Sequence, residues 1–167
     1  MKDDNKSKKF KTDKRKREKP EFEQKLLDLA RVTRVVKGGR RFSFRATMVI
    51  GDKKGRVGVG VGKGSDVSNA IGKAVNDAKK GLINIDISKG TIPYDIDIKM
   101  GSAKVMMKPA KEGRGIVAGG AVRAVVDLVG IKDVVSKSLG TSNKLNVARA
   151  TVKALGEFEI ASEPAKK

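Results

Sequence analysis

Apolar and polar positions change period several times along this chain, and each change marks an element. Leu26, Leu27 and Leu29 lead into a strand expected over residues 30–37. From Arg41 to Ile50 the alternation is strict. Phe42, Phe44, Ala46, Met48 and Ile50 share one face, and Arg41, Ser43, Arg45 and Thr47 share the other. Gly38-Gly39 between these runs predicts a tight hairpin turn, with both glycines tolerating positive φ. Residues 51–55 (GDKKG) predict the next turn. In residues 56–64 (RVGVGVGKG), Val57, Val59 and Val61 project one way while Gly58, Gly60 and Gly62 leave the other face bare. Glycine weakens a strand, so a bare face points to close approach by a packed helix or by a ligand backbone.

A period near 3.6 takes over at residues 66–82. Val67, Ala70, Ile71, Ala74, Val75, Ala78 and Leu82 form one stripe, with Ser65 or Asp66 as cap and Gly81 as stop. Three antiparallel strands closed by a helix make a small α+β unit. In the second half, Ile83, Ile85 and Ile87 alternate, then Ile92, Tyr94, Ile96 and Ile98, then Ala103, Val105 and Met107. A glycine-rich loop, residues 109–120, opens a helix reaching about Val129, with Val122, Val125, Val126 and Val129 inward and Gly130 as its end. A strand near 133–138 and a helix near 146–155 complete a β-β-α-β-α unit. The fold class is therefore α+β in two small domains, residues 21–86 and 87–158, with a disordered basic tail over 1–20 and a flexible tail over 159–167.

Charge changes the picture from fold to partner. The 167 residues carry a formal net charge of +19. Ten Lys or Arg lie between Arg31 and Lys63 (Arg31, Arg34, Lys37, Arg40, Arg41, Arg45, Lys53, Lys54, Arg56 and Lys63) against one acid, Asp52. Three cations crowd the Gly38-Gly39 tip and repel one another unless an anion neutralises them. A folded basic sheet suits a polyanion, because each cation that meets a phosphate releases condensed counterions. Nucleic acid is the expected partner, with Gly38, Gly39, Gly60 and Gly62 as points of close backbone approach. Phe42 and Phe44 follow the apolar period, so they are read as core rather than as base-stacking platforms. Recognition is then expected through backbone and shape.

Several function classes fall away. Histidine and cysteine are both absent, which removes the usual proton shuttle, thiolate nucleophiles, disulfides and Cys-based metal sites. A P-loop needs GxxxxGK followed by Ser or Thr; here Gly62-Lys63 is followed by Gly64, and Val57 stands where the first glycine belongs. The GxGxxG fingerprint starting at Gly58 would require glycine at Lys63. Asp95 and Asp97 alternate on one strand and read as a solvated face rather than a metal pair. No cofactor is expected. The chain shows no apolar span for a membrane, no signal segment and no transit peptide, so the expected location is the cytoplasm.

The segments VKGGRRFSFRATMVIGDKKGRVGVGVGKG (36–64), KVMMKPAKEGRGIVAGGAVRAVVDLVGIKDVVSKSLGTSN (104–143) and NVARATVKAL (146–155) resemble the bacterial small-subunit ribosomal protein number five family, in order and with matching spacing. The resemblance implies a first domain similar to a double-stranded-RNA-binding domain and a second containing a left-handed β-α-β crossover. It implies a non-enzymatic structural role in small-subunit ribosomal RNA assembly and translational accuracy, near the messenger RNA entry channel. It also implies ribosomal proteins number four and number eight as partners, with Gly113, Arg114, Gly115 and Arg123 matching the region that faces protein four. The lysine-rich residues 1–20 have no counterpart in the family pattern. The turn Asp52-Lys53-Lys54-Gly55 is more basic than that pattern, which suggests additional phosphate contact. A free double-stranded-RNA regulator is the alternative.

Overall fold

The computed structural model describes residues 21–85 and 90–162. The first sheet is antiparallel, in the order β1-β2-β3-β4, with β1 Glu23–Val36, β2 Gly39–Gly51, β3 Arg56–Gly64 and β4 Ile83–Asn84. Helix α1, Val67–Lys80, packs across one face of β2 and β3. The second sheet is mixed, in the order β5-β6-β8-β7, with β5 Ile96–Met100, β6 Ala103–Pro109, β7 Ile116–Val117 and β8 Val134–Leu139. The β7–β8 pair is parallel and is joined through α2, Gly120–Val129. Helix α3, Lys144–Ser162, ends the described chain.

The bare strand face is filled by α1. Ala70, Ala74 and Ala78 recur every four residues along that helix and are buried. A Cβ built on Gly62, Gly60 or Gly58 would collide with the carbonyl oxygen of Ala70, Ala74 or Ala78 respectively. The match is metric. Two strand residues advance about 6.6 Å and four helical residues about 6 Å, so each glycine meets the next alanine in turn. Gly60 and Gly62 are thus buried under a helix, and the expectation that they admit an RNA backbone is corrected. The Val61 N–H on the outer edge of β3 donates to Asp77 Oδ2 of α1 at 3.0 Å, covering part of an unpaired strand edge.

The lower part of the first sheet is buried on both faces. Ala46, Met48 and Ile50 pack under α1 with Val75, while Val49 and Val57 on the other face join a core built with α2, α3 and the second sheet. Val122, Val125, Val126 and Val129 are buried, as the helical period predicts, and Gly130 closes α2 at φ 103°. The α2 C-terminus meets the β2–β3 turn. Lys53 and Gly55 N–H groups donate to the carbonyl oxygens of Leu128 and Val129, each at 3.0 Å, and satisfy carbonyls left open at the helix end.

Several expected bounds shift. Strand β1 begins seven residues before Ala30, because pairing with β2 carries it on to Glu23↔Gly51 through a bulge at Leu26/Asp28 that hides the alternation. The hairpin pairs Val36 with Gly39, so its two-residue tip is Lys37-Gly38, and only Gly39 has positive φ, 130°. Gly81 caps α1 at φ −110° and leaves Leu82 outside it. The run around Ile83 forms only the two-residue β4. Tyr94 precedes β5, half-exposed and edge-on to Phe158 at 4.9 Å. The glycine-rich loop contains β7, too short to show in a periodicity. Helix α3 runs past Leu155, so residues 159–162 are helical rather than a flexible tail. The basic tail over 1–20 and the position of Ile87 lie outside the described residues.

Candidate nucleic-acid interface

Strand β3 pairs with β2 only from Phe44 downwards. Above that level, Val32–Val36 and Gly39–Ser43 form a two-stranded ribbon about 16 Å long, with no third strand beside it. Isolated ribbons are marginally stable in water. This one is anchored through β1 and β2 in the sheet below and presents its side chains to solvent.

Strand pairing concentrates positive charge in the ribbon and in the sheet just below it. Arg34 stands directly opposite Arg41, and Arg45 directly opposite Lys63, all on one face. Like charges directly opposed destabilise a sheet, by up to roughly 1 kcal/mol per pair. Arg31 and Arg40 lie on the opposite face, beside Phe42, and Lys37 stands at the tip. All seven side chains are exposed, and no acid among the described residues forms an ion pair with any of them. Gly38 and Gly39 have open space around them, so the tip can approach a surface closely.

The second expected group of cations is different. Asp52 Oδ1 accepts N–H bonds from Lys54 at 2.8 Å and Arg56 at 3.0 Å, and Asp52 Oδ2 accepts from Arg56 Nε at 2.7 Å. Burial alone would raise the Asp52 pKa, but the Arg56 guanidinium and the two backbone N–H groups together hold it below its ordinary value. Arg56 also reaches Glu21 at 3.1 Å and lies over the Phe22 ring, 5.0 Å from its centroid. Lys53 pairs with Glu23 at 2.8 Å, and that hydrogen bond raises the lysine pKa. Lys53 and Arg56 are internally neutralised, which leaves Lys54 as the turn's cation outside an ion pair among the described residues. The turn also lies at the far end of β2 from the tip, about 40 Å along the strand. Lys53, Lys54 and Arg56 are not brought together with the ribbon cations.

Phe44 is partly buried against the α1 core, as its period predicts. Phe42 is not core: it is 50% exposed, and the Arg31 guanidinium lies 4.7 Å from its ring centroid. Alternation assigned its face correctly, but α1 does not extend over the ribbon.

In the second half, Gly113 and Gly115 take positive φ, 83° and 75°. The Gly115 N–H donates to the buried Asp133 carboxylate at 2.7 Å. That N–H is occupied, and β7 separates the loop from the start of α2, so Gly113-Arg114-Gly115 does not sit at a helix N-terminus. Arg123 is exposed near the start of α2. Asp127, one helical turn from Arg123, meets Lys25 of β1 at 3.3 Å. Asp95 and Asp97 pair with Lys108 and Lys104 at 3.0 and 3.2 Å. No helix among the described residues is long and apolar enough to cross a membrane.

Comparisons with known proteins agree with this architecture. Residues 22–86 match the family described as Ribosomal protein S5, N-terminal domain, and residues 98–167 match Ribosomal protein S5, C-terminal domain. Proteins named small ribosomal subunit protein uS5 from Campylobacter jejuni subsp. jejuni serotype O:23/36 (strain 81-176), from serotype O:6 (strain 81116 / NCTC 11828) and from C. jejuni strain RM1221 are similar to it. Each is 50% identical over 135 residues, covering 81% of this chain and 92% of the relative. With both halves matched, in order, and the two-sheet α+β fold in agreement, the chain belongs to the ribosomal protein S5 family.

Proposed function

We propose that the β1–β2 ribbon clamps phosphates of folded small-subunit ribosomal RNA and that the second half presents a protein-binding surface. Membership of the family makes the chain a structural, non-enzymatic component of the small ribosomal subunit in the cytoplasm. The observation that carries the RNA reading is the cross-strand stacking of like charges, Arg34 on Arg41 and Arg45 on Lys63, without acid partners among the described residues. Such a surface gains stability when an anion lies between its cations. Phosphate contacts fix register without reading sequence, so specificity comes from RNA shape. Arg31 and Arg40 carry charge on the opposite face, and Lys37, Gly38 and Gly39 continue the clamp to the tip.

The remaining parts of the reading follow from the family resemblance. The division into two domains near residue 86, the support of assembly and translational accuracy, and the place near the messenger RNA entry channel belong to it. So do ribosomal proteins number four and number eight as neighbours, with Arg114, Arg123 and the turns at Gly113 and Gly115 as the surface toward protein four.

The test is RNA binding by the full chain across a salt series. Each phosphate neutralised contributes about 0.9 to the slope of log affinity against log salt, so the seven exposed cations of β1, β2 and β3 and the tip allow a slope of about six. Arg34→Ala with Arg41→Ala lowers that slope by about two, and small-subunit ribosomal RNA is preferred over unrelated duplexes. An unchanged slope refutes the clamp, and equal affinity for unrelated duplexes favours a free double-stranded-RNA regulator.

A further inference from the structure

The ribbon carries a group that a phosphate clamp does not use. Phe42 is half-exposed on a strand whose neighbours in the ribbon are mostly cationic. A single exposed apolar side chain is ordinary on a protein surface, but an aromatic ring among cations and outside any core offers an open π-face. Arg31 covers one side, its guanidinium 4.7 Å from the ring centroid. The other side is open for a definite reason. The β2–β3 ladder ends at Phe44↔Gly64, so no third strand runs beside Phe42, and the residue that ends the neighbouring strand is a glycine without a side chain. Phe44, one position inward on the same face, is packed against the α1 core and fixes the strand.

We propose that Phe42, backed by Arg31, is a stacking platform for one unpaired RNA base. The ribbon then takes a bulged or looped nucleotide onto the ring while Arg40, on the same face, and Lys37 at the tip hold the flanking phosphates. Every base has a π-face, so this contact selects an unpaired nucleotide over a continuous duplex rather than one base over another. Arg31 strengthens the stack in two ways. Its charge is attracted to the ring's negative face, and the ring holds the guanidinium in place where it can also meet a phosphate. The inference rests on the RNA reading above and adds a base contact to it.

The probe is a short RNA duplex bearing one unpaired 2-aminopurine, compared with the same duplex without the bulge. Binding is followed by anisotropy and stacking by 2-aminopurine fluorescence, on the full chain and on Phe42→Leu and Phe42→Tyr. Both substitutions are at an exposed position, so the fold is retained. The expected result is at least about fivefold tighter binding to the bulged duplex, with quenched fluorescence, for the wild type and Phe42→Tyr. Phe42→Leu loses that preference and the quenching while binding the flush duplex as the wild type does. Equal wild-type affinity for both duplexes, or a preference that survives in Phe42→Leu, overturns the proposal. Salt-independent binding to the flush duplex instead overturns the phosphate clamp, and 2-aminopurine quenching still reports the stack in that case.

Discussion

Replacing Gly60 by alanine tests the packing that gives this sheet its shape. A methyl group on Gly60 would lie 2.8 Å from Ala78 Cα and would also collide with the Ala74 carbonyl oxygen and the Ala78 nitrogen. All three obstructing atoms are backbone, so no side chain can rotate away and α1 must move as a unit. Overpacking a tight site costs about 1–3 kcal/mol, and a rigid backbone obstacle puts this one near the upper end. Against that, alanine reduces the freedom of the unfolded chain and returns about 0.4–1 kcal/mol. Gly60 is not in a positive-φ conformation, so no backbone strain adds to the balance. The net expectation is a loss of about 2 kcal/mol, which lowers Tm by about 4–8 °C in a chain of this size. The assay is thermal unfolding followed by circular dichroism, with Gly72→Ala as control. Gly72 lies within α1 with open space around it, and alanine there stabilises by about 0.5–1 kcal/mol. A Gly60→Ala protein as stable as the wild type would refute the close helix–strand packing.

Other expectations are equally concrete. Asp52→Asn destabilises the protein at neutral pH. The folded-state pKa of Asp52 is lowered, so its contribution is present above the unfolded pKa and is lost as pH falls through the folded one; the gap between wild type and variant in pH-dependent melting closes on acidification. Lys53→Ala leaves the salt slope of RNA binding unchanged, because Lys53 is held by Glu23 away from the ribbon, whereas Arg45→Ala lowers it by about 0.9. Lys25→Ala breaks the pair with Asp127, whose side chains are 47% and 48% exposed, and shifts denaturant stability by less than about 1 kcal/mol.

The sequence pattern carried the fold where burial is one-sided. The valine stripe of α2 and the α1 alanines follow their periods because one face meets core and the other meets water or charge. It misled where tertiary structure overrides local signal. Glu23–Leu29 lacks alternation yet pairs as strand, because β2 offers a partner along its whole length and a bulge absorbs the mismatch. Thr47 and Val49 look like an outer face but are buried, since the first sheet also packs on the second half. The candidate site was legible as charge, because cations without nearby acids are visible in sequence. How those cations divide was not. Glu21 and Glu23 neutralise Arg56 and Lys53 across strands, from more than two dozen residues away. The glycine face suited a helix or an RNA backbone equally until the positions of Ala70, Ala74 and Ala78 decided it. The exposure of Phe42 depended on where β3 and α1 stop, which no period encodes.

The central claim is that the ribbon cations anchor this chain in the small ribosomal subunit. The most direct test is sucrose-gradient sedimentation of a native lysate after a high-salt wash, tracking the wild-type chain and Arg34→Glu with Arg41→Glu. The wild type stays with small subunits while the variant appears in the soluble fraction. Equal retention of the two would contradict it.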